Sequence, residues 1–387
     1  MQVFKVQAWD VLKRILFNLK DFILIPYIRR IIRFFALPYC FFFMVNWEEC
    51  KSTRLKVFSD FLYIFFVLKY FPDNYSLCRL WEKEKEEWVY YYGSNYDPYQ
   101  RRQLRRKVQR KEYEILFEDK NVCYQLCRAG GLPLPKQIGY IENYRELIKV
   151  IERAFKQDPL TKYLIKPATG NAGSSIMLIK QENKKIIVKF KNSFIPINSV
   201  KINTPYVIQK YLTQHPMIAK IYSNSVNTIR IVTLLRVDNT ILFLGAFIRF
   251  GINAAFVDNI SQGGVAVSID MDKGCMNEFG YDFSSKRHTV HPSTNVVFKG
   301  CMIPFWDDVL SLAQKTQSHF SYFKLLGHDI AVTEEGPVII ELNAIYDNVG
   351  LEQKCGPILK NKDVLREYKN YNLLINSKQK KLAKNSK

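Results

Sequence analysis

The 387-residue sequence lacks the cysteine and histidine patterns that hold structural metals. None of its eight cysteines forms a Cys-x-x-Cys pair, and its five histidines form no pair at i,i+4 spacing. Cysteines scattered in this way are typical of a reducing compartment, where thiols stay free and buried. We therefore expect free thiols and no structural zinc site.

Long hydrophobic runs are also missing. The longest uncharged run, Phe34 to Trp47, has 14 residues and contains Pro38, whereas a membrane-spanning helix needs about 18 to 20 apolar residues. Charged residues continue through residue 33, and no small-residue cleavage site follows a clean apolar stretch, which argues against a signal peptide. The sequence thus predicts a cytoplasmic protein.

Acidic residues are too few to balance the basic ones, and the net charge is +21. Most of the excess lies in residues 1–45 (+5), 101–111 (+7) and 360–387 (+7). A solvated face, an anionic membrane or a nucleic acid would each suit such stretches. In the first stretch, arginines 29, 30 and 33 alternate with isoleucine and phenylalanine, which is typical of a helix lying in a membrane interface. We therefore predict a peripheral position at the inner face of the plasma membrane, with nucleic acid as the weaker alternative partner.

The hydrophobic patterns divide the chain into helical, mixed and tail segments. The run 81-WEKEKEEWVYYYG-93 is predicted to be a charged helix. From about residue 160, short β-branched runs alternate with turn signals, so the fold class is α+β. The predicted segments are a basic, aromatic helical region (1–95), basic linker helices that lead into the mixed part (96–160), two α+β units (161–212 and 213–360) and a basic, disordered tail (361–387).

The stretch 328-HDIAVTEEGPVIIELNA-344 places acids inside two apolar runs that are split by a turn signal. A three-residue loop, Glu334 to Gly336, would pair Thr333 with Pro337 and Asp329 with Glu341. Because side chains alternate along a strand, Asn343 joins the face of the two acids. The opposite face, toward a core, would then carry Ile330, Val332, Val338 and Ile340.

Two carboxylates directly opposite each other on a ladder repel. A cation between them removes the repulsion, and the oxygen ligands of Asp329, Glu341 and Asn343 suit Mg²⁺, with Mn²⁺ as an alternative. Magnesium commonly fills its remaining positions with waters and substrate phosphates. The competing interpretation is a plain hairpin whose acids lie at solvated strand ends.

A candidate phosphate-binding loop lies in 166-KPATGNAGSS-175, between two predicted strands. Glycines let backbone N–H groups approach phosphate oxygens, and Lys166 adds a positive charge. The loop is neither a Walker A motif nor Gly-x-Gly-x-x-Gly, so an ordinary hairpin loop is the alternative.

Two arginines, Arg230 and Arg249, lie in runs that are otherwise apolar enough for a sheet interior. A buried arginine without an anion is costly. Each therefore belongs to a structural ion pair, or grips the phosphate or carboxylate of a substrate with its planar fork. We take both as candidate catalytic residues.

In combination these features resemble the ATP-grasp fold, in which two α+β subdomains clasp ATP. The order of 166-KPATGNAGSS, 209-QKYLTQHP, 225-SVNTIRIVTL, 258-DN, 291-HP and 327-GHDIAVTEEGPVIIELN is similar to the sugar-transfer-associated ATP-grasp family, also described as related to α-L-glutamate ligases. The resemblance covers roughly residues 115–355.

The resemblance implies a role for each matching residue. Lys120 and Lys166 would bind the ATP phosphates, and Arg230 would hold the transferring phosphoryl group. A Mg²⁺ ion would be held by Asp329, Glu341 and Asn343. The lid over the phosphates would comprise Thr169, Gly170, Gly173, Ser174 and Ser175, and the hinge that meets adenine would comprise Gln209, Lys210 and Leu212.

Two positions depart from ligases of the D-alanine type. These carry a carboxylate at the hinge where Gln209 stands and a ribose-binding acid soon after, where this chain has Gln214 and His215. Their arginine two residues before the metal-binding aspartate is Gly327 here.

The resemblance implies an ATP- and Mg²⁺-dependent ligase that joins a carboxylate to an amine through an acyl phosphate. Its setting would be cell-surface polysaccharide synthesis, with an amino acid joined to a sugar acid, on small-molecule or lipid-linked substrates. One alternative is a kinase that phosphorylates a hydroxyl. Another is a non-catalytic basic protein that binds a membrane or nucleic acid. The sequence indicates neither the oligomeric state nor a general base.

Overall fold

The computed structural model describes residues 24–94, 105–170, 175–190, 193–260 and 263–385. Its α-helices are α1 (Ile25–Tyr39), α2 (Arg54–Tyr63), α3 (Asn74–Leu77), α4 (Ile115–Glu118), α5 (Lys120–Ala129), α6 (Tyr144–Gln157), α7 (Pro216–Ala219), α8 (Trp306–His319), α9 (Asn348–Cys355), α10 (Lys362–Asn370) and α11 (Ser377–Asn385). Its strands are β1 (Gln137–Ile141), β2 (Tyr163–Pro167), β3 (Met177–Glu182), β4 (Lys185–Phe190), β5 (Ser193–Pro196), β6 (Tyr206–Lys210), β7 (Ile229–Leu235), β8 (Ile241–Phe250), β9 (Val265–Asp270), β10 (Cys275–Tyr281), β11 (Arg287–His288), β12 (Leu325–Thr333) and β13 (Gly336–Asn343).

Residues 24–94 form an aromatic helical unit. Thr53 caps α2 by accepting a hydrogen bond from the backbone N–H of Lys56. Val57, Phe61 and Ile64 then recur at helical spacing and are buried in the core of this unit. Two short π-helical turns, Cys40–Met44 and Ile64–Leu68, continue α1 and α2. None of the described helices combines the length and apolar character needed to cross a membrane.

The predicted charged helix over residues 81–93 was wrong. The segment forms two short 3₁₀ turns, Leu80–Glu82 and Glu87–Tyr90. Trp81 and Trp88 are both buried in the core of the helical unit. Burial of the two indole rings outweighs the helix propensity of the intervening Glu and Lys residues, which is a weak preference.

A six-stranded antiparallel sheet, ordered β1-β6-β2-β3-β4-β5, forms the first of two sheets. Helix α6 covers it and buries Leu147, Ile151 and Phe155 against the strands. Strand β1 pairs with β6, although about 70 residues separate them in the sequence. This sheet therefore begins at Gln137, inside the segment 96–160 that we predicted to lead into the mixed part of the chain.

The second sheet has seven antiparallel strands in the order β11-β10-β9-β8-β7-β12-β13. Helix α8 covers one face, where Ile231 and Ile330 are fully buried beside Val309. The other face packs against the chain after β13, with Val232 and Phe247 buried beside Leu351 of α9. Burial on both faces explains why these strands read as continuous apolar runs.

The predicted disorder of the tail was wrong for residues 361–385. Helix α10 buries Val364, Leu365 and Tyr368, because its apolar positions share one helical face. In α11, the amide of Gln379 is buried and donates to the carbonyls of Val89 and Tyr91, at 3.0 Å each. The C-terminal helices thus bind the helical unit despite their high charge.

The described part of the basic stretch 101–111 forms turns, and two of its polar side chains are buried. Arg105 donates to the carbonyl of Tyr346 at 3.2 Å and lies over the Tyr346 ring. Gln109 donates to the carbonyl of Leu325 at 2.6 Å. These contacts join the stretch to the second sheet.

All eight cysteines are free thiols, as predicted.

Candidate functional site

A cavity of about 610 Å³ lies between the two sheets. Every predicted site residue that falls in the described chain lines it, although the residues come from seven separate segments. These lining residues are Lys120, Lys166, Thr169, Gly170, Ser175, Gln209, Lys210, Leu212, Arg230, Arg249, Asp329, Glu341 and Asn343. Gly173 and Ser174 lie outside the described residues.

The β12–β13 hairpin brings its acids to the cavity by a different register from the predicted one. Its turn has two residues, Glu334 and Glu335, so that Thr333 pairs with Gly336. Continued regularly, this register would place Glu341 opposite His328, on the core face. A β-bulge beside Ile340 restores the expected pairing of Asp329 with Glu341.

Because of the bulge, the residue of β13 that faces the core differs from the predicted one. Ile339 is buried in the core, where we had expected Ile340. Ile340 lines the cavity together with Glu341 and Asn343. The bulge therefore places Ile339 in the core in place of Ile340. Glu341 and Asn343 stay on the cavity side.

Asp329 is the centre of a buried ion-pair network. Arg230 lies directly opposite it on β7 and binds both of its oxygens, through Nε and through Nη2 (2.9 Å to Oδ2). Arg249 of β8 also approaches, with Nη2 3.0 Å from Oδ2. Burial alone would raise the pKa of Asp329, but the two guanidinium groups hold it well below its usual range. The carboxylate is therefore ionised at neutral pH.

Both arginines keep donors for a further anion. Nε and Nη2 of Arg230 are used by Asp329, and those of Arg249 are used by Thr228 and Asp329. Within the described chain, the Nη1 atom of neither arginine has a protein partner. Each guanidinium is thus held rigidly by one edge while two N–H groups stay available.

Two site residues were missed by the sequence analysis. Asp258 accepts hydrogen bonds from the backbone N–H (2.8 Å) and the hydroxyl of Thr228, and its Oδ2 lies 3.5 Å from Arg249 Nε. Both residues line the cavity. Both lie in stretches that carry the family resemblance, 225-SVNTIRIVTL and 258-DN, but their contact across 30 residues forms only in the folded sheet.

Lys120 and Lys166 bring two further cations to the same cavity. Lys120 opens α5, which Asp119 caps, and its Nζ lies 2.7 Å from the Gly170 carbonyl and 3.5 Å from Glu341 Oε1. Lys166 is buried on β2, and in the described chain its ammonium group has no hydrogen-bond partner. Burial, with repulsion from Lys120, lowers the pKa of Lys166. A polyanion would relieve both costs.

The predicted hinge presents orphaned polar groups. The side-chain carbonyl oxygen of Gln209 is buried without a hydrogen-bond partner. Leu212 also lines the cavity, and within the described chain its backbone groups form no hydrogen bond. Lys210 differs from them, because its ammonium turns away to Asp158 (3.5 Å) and its N–H donates to the Lys136 carbonyl. Leu164, Ile176, Tyr206 and Phe256 give this end of the cavity an apolar lining.

Gln214, His215 and His328 have structural roles. Gln214 is buried and bonds the carbonyls of Tyr222 and Ser225 at 2.8 Å each, and His215 caps α7. His328 is fully buried on the core side of β12, with Nε2 2.7 Å from Thr233 Oγ1. Burial lowers the pKa of His328 to about 3, so it is neutral at physiological pH. It is not placed to act as a base in the cavity.

The residues present fit a hard divalent cation. Two carboxylates and one amide lie on adjacent strands, and oxygen ligands of this kind suit Mg²⁺. Asn343 donates to Asp329 Oδ2 at 3.3 Å, which places the three side chains together. Oδ2 of Asp329 already receives three donors, whereas Oδ1 receives only Arg230 Nε and keeps a lone pair that a cation can use. In the described chain no group of three or more His, Cys, Asp or Glu side chains forms a metal cage.

The fold is similar to several solved enzymes at low sequence identity. These include phosphoribosylamine–glycine ligase from Thermotoga maritima (13% identity, TM-score 0.42, covering 69% of this chain and 57% of that one) and the D-cycloserine synthetase DcsG (9%, 0.40, 72% and 74%). D-alanyl-alanine synthetase A from Vibrio cholerae is a third (9%, 0.37, 59% and 55%). The chain spans little more than half the length of the first and third of these enzymes.

No curated protein matches the sequence. A family model does match, and it covers residues 99–365, which is well over half of the chain and includes the whole cavity. The protein belongs to the sugar-transfer-associated ATP-grasp family.

Proposed function

We propose that the protein is an ATP- and Mg²⁺-dependent ligase that joins a carboxylate to an amine through an acyl phosphate. The observation that carries this proposal is the convergence of four cationic side chains, Lys120, Lys166, Arg230 and Arg249, on one cavity that also holds Asp329 and Glu341. Four cations beside only a few acids complement a triphosphate and a second anionic substrate.

The nucleotide would lie with its base at the hinge and its phosphates at the lysines. Gln209 and Leu212 offer unsatisfied polar groups beside an apolar lining, which suits a planar base with polar edges. Lys120 and Lys166 would bind the phosphates under the loop that includes Thr169, Gly170 and Ser175. Lys120 already contacts the Gly170 carbonyl, so this lysine would join the loop to the phosphates.

Asp329, Glu341 and Asn343 would hold Mg²⁺ at the phosphate end of the cavity. When bound, the ion would neutralise charge on the phosphates. The two arginines keep Asp329 ionised and fixed, so it does not need to reorganise when a cation arrives. Glu341 would exchange its contact with Lys120 for the ion, which frees that lysine for phosphate.

The chemistry would proceed in two steps. An oxygen of the carboxylate substrate attacks the γ-phosphorus, and ADP leaves as the acyl phosphate forms. The amine then attacks the acyl carbon, inorganic phosphate leaves with the C–O electron pair, and the amine loses a proton to give the amide. The Nη1 groups of Arg230 and Arg249 would hold the carboxylate and the transferring phosphoryl oxygens in line.

The family name supports a setting in the assembly of sugar polymers. We propose that the substrates are an amino acid and a sugar acid of a cell-surface polysaccharide, free or carried on a lipid. A lipid-carried substrate would place the protein at the inner face of the membrane.

The test uses radiolabelled ATP, Mg²⁺ and mixtures of amino acids and sugar acids. Wild type should release inorganic phosphate only when both substrate classes are present, and a new amide should form. Glu341→Gln should reduce turnover at least 100-fold, whereas Glu334→Gln, at the exposed turn of the same hairpin, should behave as wild type. A phosphorylated sugar without an amide would show a kinase instead. Full turnover in Glu341→Gln would refute the proposed site.

A further inference from the structure

The exposed apolar side chains of the protein are concentrated in one segment. Thirteen of the twenty-six exposed large hydrophobic residues in the described chain lie between Leu24 and Phe66. Phe35 and Phe43 are each 75% exposed, and Leu55 is 84% exposed. Single exposed apolar residues are normal, but a contiguous group of this size marks an interaction surface.

These residues form one surface because α1 and α2 lie side by side. The ring of Phe34 on α1 is 6.0 Å from that of Phe66, just beyond α2. The ring of Phe41 is 6.3 Å from that of Phe58 on α2. We call this the aromatic surface and define it by Phe34, Phe35, Tyr39, Phe42, Phe43, Leu55, Phe58 and Phe66, all of which are exposed.

The charge around the aromatic surface is positive. Residues 24–69 contain seven basic and three acidic side chains. Two of the acids are neutralised within the protein, since Glu49 lies 3.0 Å from Arg79 and Asp60 lies 3.1 Å from Lys85. By contrast, Lys51, Arg54 and Lys56 are exposed beside Leu55. A partner of this surface must therefore be both apolar and anionic.

We propose that the aromatic surface docks on an anionic lipid bilayer. Its rings would enter the boundary between headgroups and acyl chains, while Lys51, Arg54 and Lys56 contact lipid phosphates. Helix α1 carries Arg29, Arg30 and Arg33 among its apolar residues, a pattern that suits a helix lying in the interface.

Other occupants fit less well. A second copy of the chain would bring two basic surfaces together, and like charges across an interface are unfavourable. A nucleic acid would match the charge and could stack on the rings, but it offers nothing apolar to exposed aliphatic residues such as Ile31, Ile32 and Leu55. A bilayer satisfies both the charge and the apolar area.

Docking would hold the cavity near a lipid-carried substrate, and this purpose rests on the proposed function. The interaction itself needs no nucleotide. Vesicle binding and ATP turnover can therefore fail independently of each other.

The experiment is co-sedimentation of the full-length protein with vesicles of phosphatidylcholine alone, or of phosphatidylcholine with phosphatidylglycerol. Wild type should bind the anionic vesicles, and less at high salt. The variant Phe35→Ser/Phe42→Ser/Phe43→Ser should lose at least tenfold in binding, and Lys51→Glu/Arg54→Glu/Lys56→Glu should lose the preference for the anionic lipid. Leu160→Ser/Phe283→Ser removes exposed apolar side chains elsewhere and should bind as wild type.

Three results would overturn the proposal. They are wild-type protein that stays in the supernatant with anionic vesicles, an aromatic triple variant that binds like wild type, and a dimer in sedimentation velocity that this variant abolishes. The unfolding midpoint of each variant checks folding. Asp329→Asn should bind vesicles normally while ATP turnover is lost, which separates failure of docking from failure of the ligase proposal.

Discussion

Arg230 and Asp329 face each other directly across β7 and β12 and form a two-point ion pair inside the second sheet. The pair is buried on the Asp329 side, where only 3% of the side chain is exposed. Removing one partner of such a pair leaves an uncompensated buried charge. The same contact that would fix the metal-binding carboxylate is therefore also part of the stability of the sheet.

The free energy of unfolding of Asp329→Asn should depend less on pH than that of wild type. The folded-state pKa of Asp329 is lowered, so its stabilising contribution is present above the unfolded pKa of about 4 and is lost as pH falls through the folded value. At neutral pH the variant should be destabilised by about 3 kcal/mol, because two arginines lose their anion. Urea unfolding from pH 7 to pH 3, in chelator, should show the two proteins converging in acid. A constant difference across that range would contradict this role.

Lys166 should take up a proton when ATP binds. Its pKa is lowered in the free protein by burial and by Lys120, and an incoming polyphosphate would raise it again. Calorimetric titration at a series of pH values from 7 to 10, in two buffers with different ionisation enthalpies, should therefore show proton uptake in wild type that increases toward alkaline pH. Lys166→Arg keeps a permanent charge and should show none at that position. Equal uptake in both proteins would assign the proton to another group.

The sequence was most informative where a run of apolar residues was enough to identify a strand. Strands β7, β8 and β12 were visible as apolar runs, and the polar residues within them marked the cavity. The pairing of Asp329 with Glu341 was predicted from the assumption of a three-residue loop, whereas the chain uses a two-residue turn and a bulge beside Ile340. Nothing local distinguishes these two solutions, because both place the acids on the same face.

Other features depended on contacts that are distant in sequence. Asp258 is tied to Thr228 and Arg249 only in the folded sheet. The C-terminal helices looked like a solvated tail because half of their residues are charged, yet buried Gln379 donates to the carbonyls of Val89 and Tyr91. Composition reports the average environment of a segment and misses one polar side chain that anchors it.

His328→Gln should affect stability and leave the pH dependence of turnover unchanged. His328 is neutral and bonds Thr233, which also bonds Gln317, on the core side of β12. Loss of this buried contact should cost about 1 to 2 kcal/mol. Unfolding and a pH–rate profile from pH 5 to pH 8 would test this. A change in the profile without a change in stability would show that the residue acts in catalysis.

Gln209 should discriminate adenine from guanine. Its side-chain carbonyl oxygen is buried in the cavity wall without a donor, and an adenine amino group would supply one, whereas the guanine carbonyl at that position would repel it. Leaving a buried acceptor unsatisfied costs about 1 to 3 kcal/mol, which corresponds to a roughly 5- to 150-fold preference for ATP. Gln209→Met removes the acceptor and should reduce the ATP/GTP ratio of kcat/KM toward unity through KM. Lys210→Met, whose side chain turns outward to Asp158, is the matched control and should keep the ratio. If Gln209→Met retains full selectivity, the discrimination comes from the backbone at Leu212.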